Sequence, residues 1–232
     1  MSTHSAPRIE LKEHTMKTRI NIIDSHTLTL AIGTLLATAA SAHGAITSTS
    51  GSAFFLGAAP VNTLYGALPG LPAYCWDEQS GVTASGVGVN ITSNGFYTGA
   101  APFTGVVSGT FDSHFIHFDA SSGVANATGG VTFSSQIRAV IYQNVLLDAT
   151  DLQFGSFGTT YATFDPFRSE AAALMLSQLT VSGNTLNFTL WAQNAAMQNR
   201  MSEVRVLTDA VPAPGACALL GLSGLIARRR RR

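Results

Sequence analysis

The sequence predicts an all-β fold, an antiparallel β-sandwich, over residues 43–209. Three observations predict it. Apolar and polar residues alternate with period two in short runs, glycine-rich turns separate the runs, and helical periodicity is nearly absent. Composition agrees, with 11% charged residues and 22 glycines in 232 residues. Many short strands joined by such turns make a sandwich, and a jelly-roll path is one way to connect them.

Residues 43–73, rich in Ser, Gly, Ala and Leu, carry the weakest pattern and are expected as a loosely packed first hairpin or an exposed arm. From His114 to Asp119 the alternation is clear: His114, Ile116 and Phe118 share one face, and Phe115 and His117 share the other. Val131 and Phe133 continue the period after the Gly129-Gly130 turn. Gln136 to Tyr142 is apolar on both faces, as in a strand covered above and below. Leu179–Val181 and Thr185–Trp191 flank Ser182-Gly183-Asn184, which predicts a hairpin. Val204–Leu207 is the last strand. One stretch departs from this: Ser169 as N-cap, Glu170, and Ala171 to Ser177 predict a short helix near 169–178. About 165 residues in one domain bury roughly 70% of the unfolded chain's surface, so no disulfide is needed.

The two ends have a different composition. Residues 1–15 are polar without an apolar period, and Met16, followed by Lys17 and Arg19, makes a better start. Leu28–Ala39 has the length of a signal-peptide core, and Ala40-Ser41-Ala42 places small residues where signal peptidase needs them, so cleavage before His43 is expected. An N-terminal membrane anchor is the competing reading, but it needs about 20 apolar residues. At the other end, Val211-Pro212-Ala213-Pro214 leads into the apolar run Gly215–Ala227 and the block Arg228, Arg229, Arg230, Arg231 and Arg232. In a helix that run spans roughly 20 Å at 1.5 Å per residue, short of a hydrocarbon core of about 30 Å. The arginines hold the chain end on the cytoplasmic side, and the prolines keep the preceding segment extended for a protease. The tail therefore reads as a temporary stop.

This order, over Val211–Arg232, resembles the PEP-CTERM sorting signal of Gram-negative bacteria, with Ala213 standing where that family usually has Glu. The resemblance implies an exosortase-type membrane protease as partner, passage through the inner membrane, and delivery to the cell surface or an exopolysaccharide matrix. Four stretches of the body, Cys75-Trp76-Asp77-Glu78-Gln79, Phe111 to Asp119, Gly158-Thr159-Thr160-Tyr161 and Glu203 to Thr208, resemble a recurrent extracellular domain of PEP-CTERM proteins. That second resemblance implies a secreted β-rich body and carries no catalytic residues. The domains expected are thus a signal region 1–42, a body 43–209 and a sorting tail 210–232.

The overall neutrality of the chain conceals an acidic body. Between His43 and Pro214 four arginines (138, 168, 200, 205) face ten acidic residues, a net charge of −6 without a single lysine. Such a body repels phosphate backbones, which argues against nucleic-acid binding. Of the two cysteines, Cys217 lies in the tail's apolar run, which leaves Cys75 as one thiol, expected to be buried beside Tyr74 and Trp76.

Chemical motifs are sparse. His114 and His117 fall on opposite faces of a strand and do not chelate one ion. Asp148, Asp151 and Asp165 offer oxygens to Ca²⁺ from a loop, without the EF-hand spacing. No Gly-x-Ser-x-Gly elbow and no phosphate loop occurs, and no cofactor is expected. Asp77, Glu78, Glu170 and Glu203 are the carboxylates a glycan hydrolase would have to draw on. Trp76, Trp191 and the tyrosines are candidates for stacking on sugars, although aromatic residues in strands usually belong to the core. Ice recognition asks for a flat, repeated threonine array. No such repeat occurs, so no thermal hysteresis is expected. The leading expectation is an exported, non-enzymatic structural protein of the surface or matrix, with a carbohydrate-binding module second and a glycan hydrolase a distant third.

Overall fold

The computed structural model describes residues 44–98, 105–165, 167–168, 177–195 and 198–211. The signal-region residues Ala40, Ala42 and His43 and the tail from Pro212 through Arg228–Arg232 lie outside them. So does nearly all of the expected helix near 169–178, whose final residue, Gln178, opens a strand instead. Among the described residues no helix is long and apolar enough to cross a membrane.

The chain runs through β1 (Ile46–Gly51), β2 (Ala53–Phe55), β3 (Ala73–Val89), β4 (Gly95–Thr98), β5 (Gly105–Asp119), β6 (Gly123–Phe133) and β7 (Ile137–Ile141). Then follow α1 (Asn144–Phe154), β8 (Gln178–Ser182), β9 (Thr185–Ala195) and β10 (Gln198–Asp209). The fold is all-β. Five strands pair in the order β1-β6-β9-β8-β4 and five in the order β7-β10-β5-β3-β2, every pair antiparallel except β2 with β3.

Two connections hold the halves together and nearly close the sheet into a barrel. On one side β10 pairs with β9 through Gln198–Arg200 and then crosses to lie between β5 and β7. On the other side Ser52, the single residue between β1 and β2, donates its N–H to the Thr128 carbonyl of the first half and accepts from the Ala73 N–H of the second (2.8 Å each). The described part of 43–73, residues 44–73, is therefore neither a hairpin nor a free arm. β1 pairs with β6 in the first half and β2 with β3 in the second.

Between the halves lies a core that includes Ile116, Phe118, Val131, Phe133, Val140, Leu186, Phe188, Val204 and Val206. Full burial of such side chains is worth about 1.5–3 kcal/mol each. A second cluster, around Trp76, Phe115, Ile141, Leu147, Phe154 and Leu207, covers the outer face of the β3-β5-β10-β7 sheet. The β5 alternation holds, since Ile116 and Phe118 enter the first core while Phe115 enters the second. Ile137–Ile141 is apolar on both faces for the same reason, with Val140 in one core and Ala139 and Ile141 in the other. The β8–β9 hairpin turns at Gly183, whose φ of 61° suits glycine.

Helix α1 is the element the pattern does not reveal. Its buried positions are Leu147, Thr150, Asp151 and Phe154, a helical spacing half made of polar residues, while Val145 and Leu152 are exposed. Asp148 and Asp151 therefore stand on a helix and not in the expected loop.

Candidate functional site

The outer face of the second half carries a buried ionic network. Arg205, from the middle of β10, is wholly buried and places its guanidinium 5.0 Å from the Phe115 ring centre. Its Nε and one terminal nitrogen donate to the two oxygens of Glu78 (2.8 and 2.9 Å), and further donations reach Asp151 Oδ1 (3.0 Å) and Thr150 Oγ1 (2.8 Å). Glu78 also accepts from Ser113 and Tyr161 (2.5 Å each). It reaches this face through a bulge in β3, where the register slips between Asp77 and Gln79. The extra residue lets the successive side chains Glu78 and Gln79 both point toward α1, where Gln79 donates to the Gly155 carbonyl (2.5 Å).

A second arginine completes the network. Arg168 donates to both oxygens of Asp151 (2.6 and 3.0 Å), to Asp148 (2.8 Å) and to Glu203. On its other oxygen Glu203 receives His117 Nδ1 (2.9 Å). His117 Nε2 lies 3.8 Å from Asp119, too long for a hydrogen bond, and has no other partner among the described residues. Burial by itself would lower the His117 pKa, but Asp119 and Glu203 outweigh it and push it up to about 9. Burial likewise opposes the charges of Asp151 and Glu203. Arg168 more than offsets this and holds both below the usual carboxylate range. All four stretches quoted for the body resemblance contribute here, through Glu78, His117 with Asp119, Tyr161, and Glu203 with Arg205. The network is a fastening that ties β3, β5 and β10 to α1 and the 156–168 segment.

The candidate calcium ligands meet a cation of the protein's own. Asp148 and Asp151 converge on Arg168, whereas Asp165 turns back to accept the Phe167 N–H (2.8 Å). Among the described residues no group of three His, Cys, Asp or Glu is placed to hold a metal ion. The Arg168 guanidinium stands where Asp148 and Asp151 would have met Ca²⁺.

On the inner face Asp77, His114 and Thr208 stand in line, with Nδ1 2.7 Å from Asp77 Oδ1 and Nε2 3.1 Å from Thr208 Oγ1. The order is that of a carboxylate–imidazole–hydroxyl relay. Here, however, His114 and Thr208 are wholly buried and the imidazole packs 4.6 Å from the Phe133 ring, so no substrate carbonyl has an approach to the hydroxyl. The trio satisfies polar groups inside the core. His114 and His117 do lie on opposite faces, each with its own carboxylate. Trp76 and Trp191 are both buried, which removes them as sugar platforms. Cys75 is buried as expected, its thiol pushed up to about 12 by burial and by Asp77.

Besides a polar groove of about 490 Å³ lined by Ser108, Gln136 and Arg138, two surface grooves stand out among the described residues. One, of about 730 Å³, runs beside α1 and is bordered by Leu152, Phe157 and Phe164, all exposed. Phe164 has φ 65°, a left-handed conformation uncommon for a bulky residue, and is held there by its N–H on Asp148 (3.2 Å). The polar groups on the floor of this groove are already engaged: Asp151 by Arg168 and Thr163, and Tyr161 by Glu78. The other groove, of about 370 Å³, crosses the outer face of the first half beside Phe96.

Neither a family model, nor a curated protein, nor a solved structure matches the chain. The site is therefore read from its own chemistry, and what divides the molecule is charge. No Asp, Glu, Lys, Arg or His occurs in β1, β4, β6, β8 or β9; the charged and imidazole strand residues lie in the second half, except Arg200 in the stretch of β10 that pairs with β9. This segregation is legible in the sequence once the pairing is known; without the pairing the uncharged segments are scattered among charged ones.

Proposed function

We propose that the protein is an exported, non-enzymatic structural component of the cell surface or of an exopolysaccharide matrix. On this reading the signal region directs export, and the tail from Val211 to Arg232 halts transiently in the inner membrane. An exosortase-type protease then cleaves near Pro212–Pro214 and releases the acidic body. The observation that carries the molecular part is the segregation of charge. Buried carboxylates and arginines of the second half neutralise one another, and the five strands β1, β4, β6, β8 and β9 of the first half carry no charged side chain. A first half so built meets its surroundings through neutral hydrogen bonds.

The intact mass of the protein recovered outside the producing cell tests the processing. Loss of both the segment before His43 and the arginine block is expected. A mature species that still carries Arg228–Arg232 would overturn it.

A further inference from the structure

We infer that the outer face of the first half, at the groove beside Phe96, binds a neutral polysaccharide chain. The export reading enters only as the source of that polymer; the site itself stands on geometry. The strand register aligns outward side chains into ranks across the sheet, Asn187–Thr180–Phe96 in one and Thr128–Thr189–Gln178 in the next. Adjacent strands lie about 4.8 Å apart and outward residues about 6.8 Å apart along each strand. The sheet therefore converts a sequence without any repeat into a two-dimensional array of hydroxyls and amides.

Each feature of that array suits an uncharged sugar. Threonine hydroxyls and the amides of Asn and Gln both donate and accept, as sugar hydroxyls do. Thr128 and Thr189 are joined hydroxyl to hydroxyl (3.2 Å), which fixes their orientation before a ligand arrives. The side chains of Gln178, Thr180 and Asn187 are not spent on hydrogen bonds within the described residues. Gly130, between Asn187 and Ser50, allows the Asn187 amide to lie across the sheet, since a Cβ there would stand 2.5 Å from its Oδ1. Phe96, 61% exposed on the edge strand, supplies a flat apolar plane for the C–H face of a sugar ring. An ionic polymer would find no countercharge in any of the five strands and would lose hydration without compensation. A water-facing sheet kept only for solubility carries charges, particularly near its edges; β1, β4, β6, β8 and β9 carry none, and Arg200, paired to β9 opposite Gln193, stands outside the lining of the groove.

The test uses the purified full chain, with retention on microcrystalline cellulose, insoluble β-1,3-glucan and dextran resin compared with the anionic polymer alginate. Retention on at least one neutral polymer is expected, undiminished at about 1 M salt, where the screening length is about 3 Å. Phe96→Ala and Thr180→Glu should each weaken it about tenfold, while Phe157→Ala in the other groove should leave it unchanged. Circular dichroism and the thermal midpoint check the fold, and Phe96→Ala, which alters only an exposed side chain, keeps the test valid should Thr180→Glu fail to fold. No retention on any neutral polymer, retention on alginate alone, or retention indifferent to Phe96→Ala overturns the site. So does a Thr180→Glu-sensitive self-association in sedimentation, or thermal hysteresis with the same sensitivity, either of which would assign the face to a second copy or to ice. Retention with these mutational effects in a protein that is not exported would keep the site and overturn only the export reading.

Discussion

Gly44 and Val211 donate their backbone N–H groups to the same oxygen of Asp112, at 2.8 and 3.2 Å. The other Asp112 oxygen accepts from Gly81 (2.8 Å). One buried carboxylate thus gathers the first and last described residues of the body. A side chain at Gly44 is excluded, because its Cβ would lie 2.2 Å from Asp112 Oδ2.

Replacing that carboxylate should loosen both ends together. Asp112→Ala leaves three N–H groups without their acceptor, and unsatisfied buried donors cost about 1–3 kcal/mol each. A loss of about 3 kcal/mol in urea unfolding is expected, accompanied by faster hydrogen exchange at Gly44 and Val211. Exchange unchanged at both residues would contradict the shared anchor.

The two buried arginines should be worth more than any surface ion pair. Arg168→Met takes the guanidinium from Glu203, Asp148 and Asp151, and Arg205→Met takes it from Glu78 and Asp151; removing one partner of a buried pair costs about 3–5 kcal/mol. Because both arginines bind Asp151, each single variant leaves it one guanidinium and only the double removes both, so the double variant should cost more than the sum of the singles in chemical denaturation. Strict additivity would show that the two pairs act independently.

Stability should decline toward alkaline pH through His117. Its folded-state pKa is raised to about 9, above the ordinary value of about 6.5. The protonated form therefore stabilises the fold fully below about pH 6.5, and the contribution is lost as pH rises through about 9, up to about 3 kcal/mol at 1.36 kcal/mol per unit. At the acid end, the lowered values of Asp151 and Glu203 give stability that is present above about pH 4 and lost as pH falls through their folded-state values. Unfolding free energies measured from pH 6.5 to 9 should slope downward, and His117→Gln should flatten that slope.

Cys75 should be inert while the chain is folded. A thiol pushed up to about 12 and buried behind Phe54 supplies almost no thiolate at neutral pH. Labelling with a chromogenic disulfide reagent should require unfolding, at a rate limited by the unfolding step. Rapid stoichiometric labelling of native protein would place the thiol at the surface.

The sequence by itself determined the all-β class, the β5 face pattern, the doubly apolar β7, the β8–β9 hairpin and the burial of Cys75. All of these depend on period-two alternation or on local turn chemistry, which adjacent residues express directly. What only the tertiary structure decided depends on which segments meet. Glu203-Val204-Arg205-Val206 reads as alternation with its charges toward water, yet Glu203 and Arg205 are wholly buried, because α1 and the segment after it cover that face and bring Asp151 and Arg168, while the β3 bulge brings Glu78. The buried stripe of α1 is half polar and escapes a hydrophobic period for the same reason. The uncharged face is the counterpart: its threonines and amides come from separate strands, and only hydrogen-bonded register, a long-range property, places them side by side.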